Sequence, residues 1–221
     1  MNYGIFFDLD GTLVDTARDL ILACNETLKK WHLEPIDAKT LRPFTGLGIK
    51  AMLSLRISDD LAKTYPRDTL MREFFLDFYN KNICKKSAVF PGVLELLDTL
   101  KEKDFNLAVV TGKYHALALS VLEKLHILDY FDAIIGSDDC TYTKPHPESL
   151  NLCKDKLKLK FQNCLYIGDH INDIQAAQNA QMKSAAALWG YGLKERDVVD
   201  FKDTIILKKP LDLLNFLDTI F

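Results

Sequence analysis

Short apolar runs alternate with longer amphipathic stretches along most of the chain. The runs are largely apolar and end at Gly, Asp, Thr or Ser, which is typical of strands buried on both faces of a parallel sheet. The predicted strands are Tyr3–Phe7, Asn106–Thr111, Ala133–Ser137, Cys164–Gly168 and Ser184–Trp189, with Ile205–Leu207 as a weaker sixth candidate. Because strands alternate with helices, the pattern predicts an α/β fold, a Rossmann-like parallel sheet flanked by helices.

Helical periodicity marks the segments between these strands. Apolar residues three and four positions apart form one stripe, and a proline in the first turn is typical of a helix start. The predicted helices are one opened by Pro91 with the stripe Val93, Leu96, Leu97 and Leu100, one opened by Pro147, and the segments Ala116–Leu125 and Ile171–Gln181. Strands and helices in this order build βαβ units.

Residues 16–86 carry no strand signal and predict a helical insert. The expected helices are one that runs from a capping box at Thr16 and Asp19 to about Trp31, one that starts at Thr45 or Gly46, and Pro66–Asn82. We therefore expect a helical cap domain, residues 16–86, inserted into an α/β catalytic core domain formed by residues 1–15 and 87–221. The two chain crossings, near Asp15 and Ser87, favour a hinge, and a hinged cap can exclude water from a site.

Composition narrows the possible partners. The 221 residues hold 28 Lys and Arg against 31 Asp and Glu, a net charge of −3, so the chain has no basic field for nucleic acid. It also has no polybasic run for a membrane surface and no apolar run near the roughly 18 residues that span a bilayer. The five cysteines are scattered and form no CxxC, which suits reduced thiols. We expect a cytoplasmic protein that binds neither nucleic acid nor membrane, as a monomer or small homo-oligomer.

Two aspartates follow the first predicted strand. Asp8 and Asp10 are two residues apart, so on an extended segment they project toward one place, just past the carboxyl edge of the sheet. Open α/β sheets bind their ligands at that edge. Since neighbouring carboxylates repel, one of them is protonated or a cation neutralises both, and a hard ion such as Mg²⁺ suits a site of oxygen atoms.

Other predicted strands also end in polar residues. The second ends at Thr111-Gly112-Lys113, and the loop after the third contains Lys144. Asp169 and Asp173 follow the fourth strand at a spacing that places both on one helix face. Paired carboxylates, a hydroxyl, a lysine and Mg²⁺ are the groups that phosphoryl transfer uses.

The order of these motifs resembles the haloacid dehalogenase-like hydrolase superfamily. The segments that carry the resemblance are Asp8–Asp15 (DLDGTLVD), Thr111, Lys144-Pro145 and Gly168-Asp169 with Asp173. Further segments are similar to its phosphoglycolate phosphatase branch over nearly the full length. They are Asp15–Leu20 (DTARDL), Phe90–Leu97 (FPGVLELL), Leu107–Lys113 (LAVVTGK), Lys144–Glu148 (KPHPE), Cys164–Ala177 (CLYIGDHINDIQAA) and Trp189–Gly192 (WGYG).

The resemblance implies a role for each matching residue. Asp8 is the nucleophile that forms an aspartyl phosphate, and Asp10 is the general acid and then the base that activates water. Asp8, the Asp10 carbonyl and Asp169 bind Mg²⁺, with Asp173 in or beside the ligand shell. Thr111 binds phosphoryl oxygens and Lys144 neutralises Asp8 and the phosphate. Further candidates for substrate binding are Thr12, Gly112 and Lys113. Gly46 and Lys50 are candidates for a separate reason, because a helix N-terminus there could present N–H groups to an anion; a tight turn with a solvated lysine is the alternative.

A carboxyl at Asp10 also separates the chemistries of the superfamily. The dehalogenases that resemble this chain lack an acidic residue at that position. Hydrolysis of a phosphate ester needs one, because the alkoxide that leaves has to be protonated. We therefore expect a phosphatase for a small phosphomonoester, with 2-phosphoglycolate as the first candidate. A sugar-phosphate phosphatase, a pyrophosphatase, a phosphomutase and a non-catalytic phospho-ligand binder are the alternatives.

Four positions depart from the branch. His170 stands where Ser is common, Gly112 where Asn is common, and Asp104 and Gln181 at helix ends where Gly is usual. A left-handed residue other than Gly costs about 1 kcal/mol, so we expect Asp104 and Gln181 to affect stability and not chemistry. The role of His170 stays open.

Overall fold

A computed structural model describes residues 3–58, 69–201 and 203–220. The contacts within the chain divide it into two compact units. We call Met1–Asp15 with Val89–Phe221 the sheet unit, and Thr16–Ala88 the helical unit. Across the described ranges, no helix combines the length and the apolar character that crossing a membrane requires.

A six-stranded parallel sheet forms the centre of the sheet unit. The strands among the described residues are β1 (Gly4–Phe7), β2 (Val14–Asp15), β3 (Ala88–Val89), β4 (Asn106–Val110), β5 (Ala133–Ile135), β6 (Cys164–Gly168), β7 (Lys183–Ala187) and β8 (Thr204–Leu207). The sheet order is β5-β4-β1-β6-β7-β8, and the short strands β2 and β3 pair separately. All six predicted strands are confirmed to within two residues. The sequence pattern missed β2 and β3, because two residues carry no periodicity.

Helices flank this sheet, as predicted. The helices are α1 (Ala17–Lys30), α2 (Ala38–Leu41), α3 (Ile49–Ser54), α4 (Leu70–Asn82), α5 (Val93–Glu102), α6 (His115–Lys124), α7 (Glu148–Lys156), α8 (Ile171–Asn179) and α9 (Leu217–Ile220). The stripe predicted for α5 is buried at all four positions. Its start is corrected, because Gly92 adopts a left-handed φ of 85° and the helix begins after it, at Val93.

The core against α7 and α8 combines aromatic, aliphatic and small side chains. Phe6, Ala108 and Tyr166 lie on β1, β4 and β6 and pack in one cluster with residues of both helices. Tyr166 is fully buried. A tyrosine in such a position supplies a large apolar surface but requires a hydrogen-bond partner for its hydroxyl.

Two expectations for the helical unit are wrong. Thr16 makes no side-chain cap on α1, and the Asp19 carboxylate accepts hydrogen bonds from the N–H groups of Lys86 and Ser87 and from the Ser87 hydroxyl, at 2.6–3.0 Å. These long-range partners replace the local capping box. The helix expected from Thr45 or Gly46 is instead a 3-10 segment, Arg42–Leu47, and α3 begins only after Gly48 at φ 87°. The start of the third predicted helix, residues 66–68, lies outside the described residues.

The left-handed helix ends are confirmed. Asp104 has φ 61° and Gln181 has φ 58°, each just after a helix. His126 and Lys158 adopt the same conformation after α6 and α7 and were not predicted.

Candidate active site

Asp8 and Asp169 leave neighbouring strands at the same edge of the sheet. The register pairs Phe7 of β1 with Ile167 of β6, and the Asp8 N–H donates to the Ile167 carbonyl at 2.8 Å. Each aspartate therefore lies just past the carboxyl end of its strand, where parallel α/β sheets place their ligands.

The turn after Asp8 brings the chain close to Asp169. The Leu9 carbonyl accepts from the N–H groups of Thr12, Leu13 and Val14 at 3.0–3.3 Å, which closes a tight loop. Gly11 within it has φ 91°, and a Cβ there would lie 2.3 Å from an Asp169 oxygen. A side chain at this position is excluded both by conformation and by space.

Three buried carboxylates converge at this edge. Asp8, Asp169 and Asp173 each offer an oxygen atom within 4.8 Å of the other two. Asp173 reaches the cluster from the first turn of α8, where its Oδ2 accepts from the His170 N–H at 3.0 Å. Gly168 permits this approach, since a Cβ there would lie 2.3 Å from the Asp173 carboxyl carbon.

Two carboxylates in this cluster, Asp8 and Asp169, resist ionisation. Burial, followed by the charge of Asp8 and then of Asp173, raises the pKa of Asp169 to about 8. Burial is also the main cause that raises the pKa of Asp8 to about 6, although Lys144 opposes it. Lys144 alone therefore does not neutralise the ionised cluster, and either the uptake of a proton or a bound cation stabilises it.

Lys144 provides the positive charge inside the cluster. Its Nζ lies 2.5 Å from Asp173 Oδ1, 2.7 Å from the Tyr166 hydroxyl and 3.1 Å from Asp8 Oδ1. Burial alone would lower the pKa of the ammonium, but Asp173 and Asp8 outweigh it and the pKa is raised. Lys144 therefore stays protonated.

Asp10 belongs to a second, adjoining ion pair. Its Oδ2 lies 2.7 Å from Lys113 Nζ, and both side chains are buried. Lys113 follows β4, and its N–H donates to the hydroxyl of Thr111 at 3.2 Å. The Asp10 carboxylate is thus held by Lys113 and lies outside the three-carboxylate cluster.

Asp169 is fixed from two further sides. Thr12 Oγ1 donates to its Oδ1 at 3.2 Å, and the Tyr191 N–H donates to its Oδ2 at 2.8 Å. Gly190 also packs against it, because a Cβ there would lie 2.3 Å from the Asp169 Cβ and 2.5 Å from the Gly11 carbonyl. The indole N–H of Trp189 donates to the Thr12 carbonyl at 2.9 Å.

The cluster fits a hard divalent cation. Its three groups are all carboxylates, and Mg²⁺ and Ca²⁺ prefer oxygen ligands. Asp8 Oδ1 is buried and, although it lies 3.1 Å from Lys144 Nζ, makes no hydrogen bond. A buried carboxylate oxygen in this state is costly unless another positive group faces it.

The structure brings most of the predicted site residues together. Asp8, Asp169, Asp173 and Lys144 meet in the cluster, and Thr12 contacts it through Asp169. Asp10, Lys113 and Thr111 contact one another next to Asp8 in the chain or after β4. Gly112 is exposed in the loop after β4, and Gly46 and Lys50 are exposed on the helical unit.

Four residues at the site received no role from the sequence. In the sequence, Tyr166 is one more buried residue of a predicted strand. Trp189, Gly190 and Tyr191 stand out only as part of a segment that resembles the phosphoglycolate phosphatase branch. Their contacts join distant segments: Tyr166 and Val110 are 56 positions apart, and Trp189 and Thr12 are 177 apart. Local patterns do not reveal pairs of that kind.

Comparisons with known proteins agree with this geometry. Residues 5–187 match the haloacid dehalogenase-like hydrolase family. The chain is 34% identical over 214 residues to the phosphoglycolate phosphatase of Aquifex aeolicus (97% of this chain, 96% of that protein). It is 36% identical over 197 residues to the phosphoglycolate phosphatase of Colwellia psychrerythraea (86% of each).

Solved structures share the fold along the whole chain. A crystal structure described as a predicted phosphoglycolate phosphatase from Haemophilus somnus 129PT has a TM-score of 0.85 at 28% identity and 98% coverage of both chains. The β-phosphoglucomutase of Clostridium difficile has a TM-score of 0.76 at 23% identity, covering 100% of this chain and 97% of that one, a likeness of fold alone.

Proposed function

Because the chain belongs to the haloacid dehalogenase-like hydrolase family, we propose that it is a Mg²⁺-dependent phosphatase that hydrolyses 2-phosphoglycolate through an aspartyl phosphate. The observation that carries the proposal is the meeting of Asp8, Asp169, Asp173 and Lys144 at one sheet edge. The phosphoglycolate phosphatases at 34–36% identity support the substrate.

Asp8 is the proposed nucleophile. One of its carboxylate oxygens attacks phosphorus, the bond between phosphorus and the ester oxygen breaks, and an aspartyl phosphate forms. Lys144, 3.1 Å away, balances the charge of the carboxylate and of the incoming phosphoryl group. The low exposure of the two side chains, 12% for Lys144 and 10% for Asp8, strengthens this interaction, because few water molecules screen it.

Asp10 is the proposed acid and base. It protonates the leaving alkoxide in the first step and accepts a proton from the attacking water in the second, which releases phosphate and restores Asp8. Lys113 fixes the orientation of the Asp10 carboxyl through its 2.7 Å contact. Thr111, at the end of β4, is the proposed hydrogen-bond donor to the phosphoryl oxygens.

Mg²⁺ would be held by Asp8, Asp169 and the Asp10 carbonyl, with Asp173 in or beside that shell. When bound, the ion supplies positive charge that neutralises the carboxylates and polarises the phosphoryl group. Thr12 and the Tyr191 N–H keep the Asp169 carboxylate in place for it.

The helical unit is our candidate cap. A cap over a sheet-edge site would exclude water from the first step and select the leaving group. Gly46 and Lys50, both exposed on that unit, remain candidates for contact with the substrate, and Gly112 for contact with the phosphate.

Phosphate release from a panel of phosphorylated metabolites, with Mg²⁺ present and chelated, tests the proposal. We expect 2-phosphoglycolate among the fastest substrates, loss of turnover on chelation, and a kcat at least about 10³-fold lower for Asp8→Asn. Asp129→Asn, an exposed aspartate of the same unit, is the matched control and should keep full activity.

Each arm can contradict a separate part of the proposal. Turnover by Asp8→Asn near that of the control excludes Asp8 as the nucleophile. A position for 2-phosphoglycolate near the bottom of the panel rejects the substrate and leaves the phosphatase chemistry standing.

A further inference from the structure

We infer that Tyr166 is a positioning residue whose hydroxyl holds the Lys144 ammonium against Asp8. The inference rests on the proposed function, because it concerns the group that balances charge on the nucleophile. Tyr166 lies on β6, contacts the Lys144 ammonium through its hydroxyl, and acts through the Lys144 side chain.

The contacts of Lys144 leave one of its three N–H bonds for the reaction. An ammonium has three donors. One donates to Asp173 Oδ1 at 2.5 Å and a second to the Tyr166 hydroxyl at 2.7 Å. The third is left for Asp8 Oδ1 at 3.1 Å or for a phosphoryl oxygen in the same place.

The hydroxyl of Tyr166 is itself oriented by the sheet. It donates to the Val110 carbonyl at 2.7 Å, a shorter contact than the 3.2 Å to Asp173 Oδ1. With its proton directed to Val110, its lone pairs are left to accept from Lys144. Val110 is the last residue of β4 and immediately precedes Thr111, so this hydroxyl ties the lysine to the strand that carries the phosphate-binding threonine.

The surroundings make the hydroxyl hard to replace. Tyr166 is fully buried among Phe6, Ala108 and Val110, which leaves little space for water beside it. The ammonium lies 5.3 Å from the ring centroid but 2.7 Å from the hydroxyl oxygen, so the contact is made through the oxygen and not through the ring face. Phenylalanine therefore keeps the packing and removes the hydroxyl, with its bond from Lys144 and its own contacts to the Val110 carbonyl and Asp173.

Loss of this bond should weaken the contact with Asp8 first. Asp173 holds the ammonium at 2.5 Å, and Asp8 is the farthest of its three neighbours. Without the hydroxyl, only the longer 3.1 Å contact with Asp8 opposes a tilt of the ammonium toward Asp173. Charge balance on the nucleophile is needed most when the phosphoryl group transfers, so the effect should fall on kcat.

The kinetic test uses Tyr166→Phe with 2-phosphoglycolate or the best substrate of the panel. We expect kcat to fall about 10- to 100-fold, the range for a buried hydrogen bond to a charged group, while KM changes less than about threefold. Tyr79→Phe removes another buried tyrosine hydroxyl, from the helical unit, and should leave both constants unchanged. An unfolding transition recorded for each variant shows that the protein is folded.

A second measurement does not depend on turnover. In the ¹⁵N-labelled protein, a buried ammonium held by fixed acceptors exchanges its protons slowly and gives a resolved ¹H–¹⁵N signal. The signal that disappears in Lys144→Arg identifies Lys144. We expect Tyr166→Phe to broaden or shift it, whereas Tyr79→Phe should not.

The outcomes separate the two proposals. A wild-type protein inert toward all phosphate esters rejects the proposed function, yet the ammonium signal still shows whether Tyr166 positions Lys144. An active wild type with a kcat for Tyr166→Phe within twofold overturns the role of Tyr166. An unchanged ammonium signal overturns it as well, and so does a loss confined to KM.

Discussion

Removal of the Asp169 charge should flatten the pH dependence of stability in the metal-free protein. The pKa of this carboxyl is raised from 3.8 to about 8, so between these values the folded protein binds its proton more tightly than the unfolded chain. Stability contributed by the protonated form is therefore lost as pH rises through that window. Asp169→Asn has no such proton, and its stability should not carry this slope.

The size of the effect follows from the window. Inside it, each pH unit costs about 1.4 kcal/mol, so Asp169 alone removes about 3 kcal/mol between pH 5 and pH 7. Asp8, with a pKa raised to about 6, adds to the loss over the lower part of this range. His170 acts in the opposite direction below about pH 6.5, because burial lowers its pKa and the unfolded chain binds the proton more readily.

Because Asp8 and His170 also titrate in this range, the effect of Asp169 is measured as the difference in stability between Asp169→Asn and the wild type. We propose urea unfolding at pH 5, 6 and 7 with a chelator present, for the wild type, Asp169→Asn and the control Asp129→Asn. The free energy of unfolding of Asp169→Asn minus that of the wild type should rise by about 3 kcal/mol from pH 5 to pH 7. Asp129→Asn should follow the wild type.

A constant difference between Asp169→Asn and the wild type across this range would refute the reasoning. It would mean that the Asp169 carboxyl titrates alike in the folded and the unfolded chain, so that the cluster does not resist its charge. The need for a cation at this place would then lose its electrostatic basis.

Three further predictions follow from other contacts. Mg²⁺ should stabilise the protein more at pH 8 than at pH 6 and should release protons when it binds. Calorimetry in two buffers of different ionisation enthalpy measures the released protons. Equal stabilisation at the two pH values and no proton release would contradict this prediction. Lys113→Met should lower kcat at least about tenfold because the Asp10 carboxyl loses its 2.7 Å partner, and a kcat equal to that of the wild type would count against this role. Asp19→Ala should reduce the free energy of unfolding by about 2–4 kcal/mol, since the N–H groups of Lys86 and Ser87 lose their acceptor; urea unfolding checks it, and a loss under about 0.5 kcal/mol would mean that these bonds are dispensable.

Much of the fold could be predicted because its signals are local. Each buried strand is a short apolar run, and the α5 stripe repeats at helical spacing, so the strands and this helix follow from hydrophobic pattern alone. Left-handed ends at Asp104 and Gln181 follow from their place after a helix. The start of α3 could not be predicted, because Gly48 at φ 87° starts the helix later than the pattern suggests.

The helical unit shows why local spacing can mislead. Thr16 and Asp19 have the spacing of a capping box, yet Asp19 binds Lys86 and Ser87, nearly seventy positions away. A carboxylate accepts from whichever N–H groups the fold brings near it, and Asp19 accepts from two of them and from the Ser87 hydroxyl.

The candidate site also contains residues that the sequence predicts and residues that it does not. Asp8, Asp169 and Lys144 stand at strand ends or the loop after one, and topology alone sends them to one sheet edge. The acceptors that orient them, such as the Tyr166 hydroxyl, come from the middle of a strand and from contacts across the sheet. Residue spacing along the sequence does not predict contacts of this kind.

The three glycines that touch the carboxylates have a consequence for ion size. Gly11, Gly168 and Gly190 bring backbone to within the distance at which a methyl group would collide with Asp169 or Asp173. Main chain cannot swing aside as a lysine or glutamate could, so the oxygens have little freedom to spread. Ca²⁺ binds oxygen at about 2.3–2.6 Å and collects more ligands than Mg²⁺, which needs about 2.0–2.1 Å. A frame this stiff should discriminate by radius and favour the smaller ion.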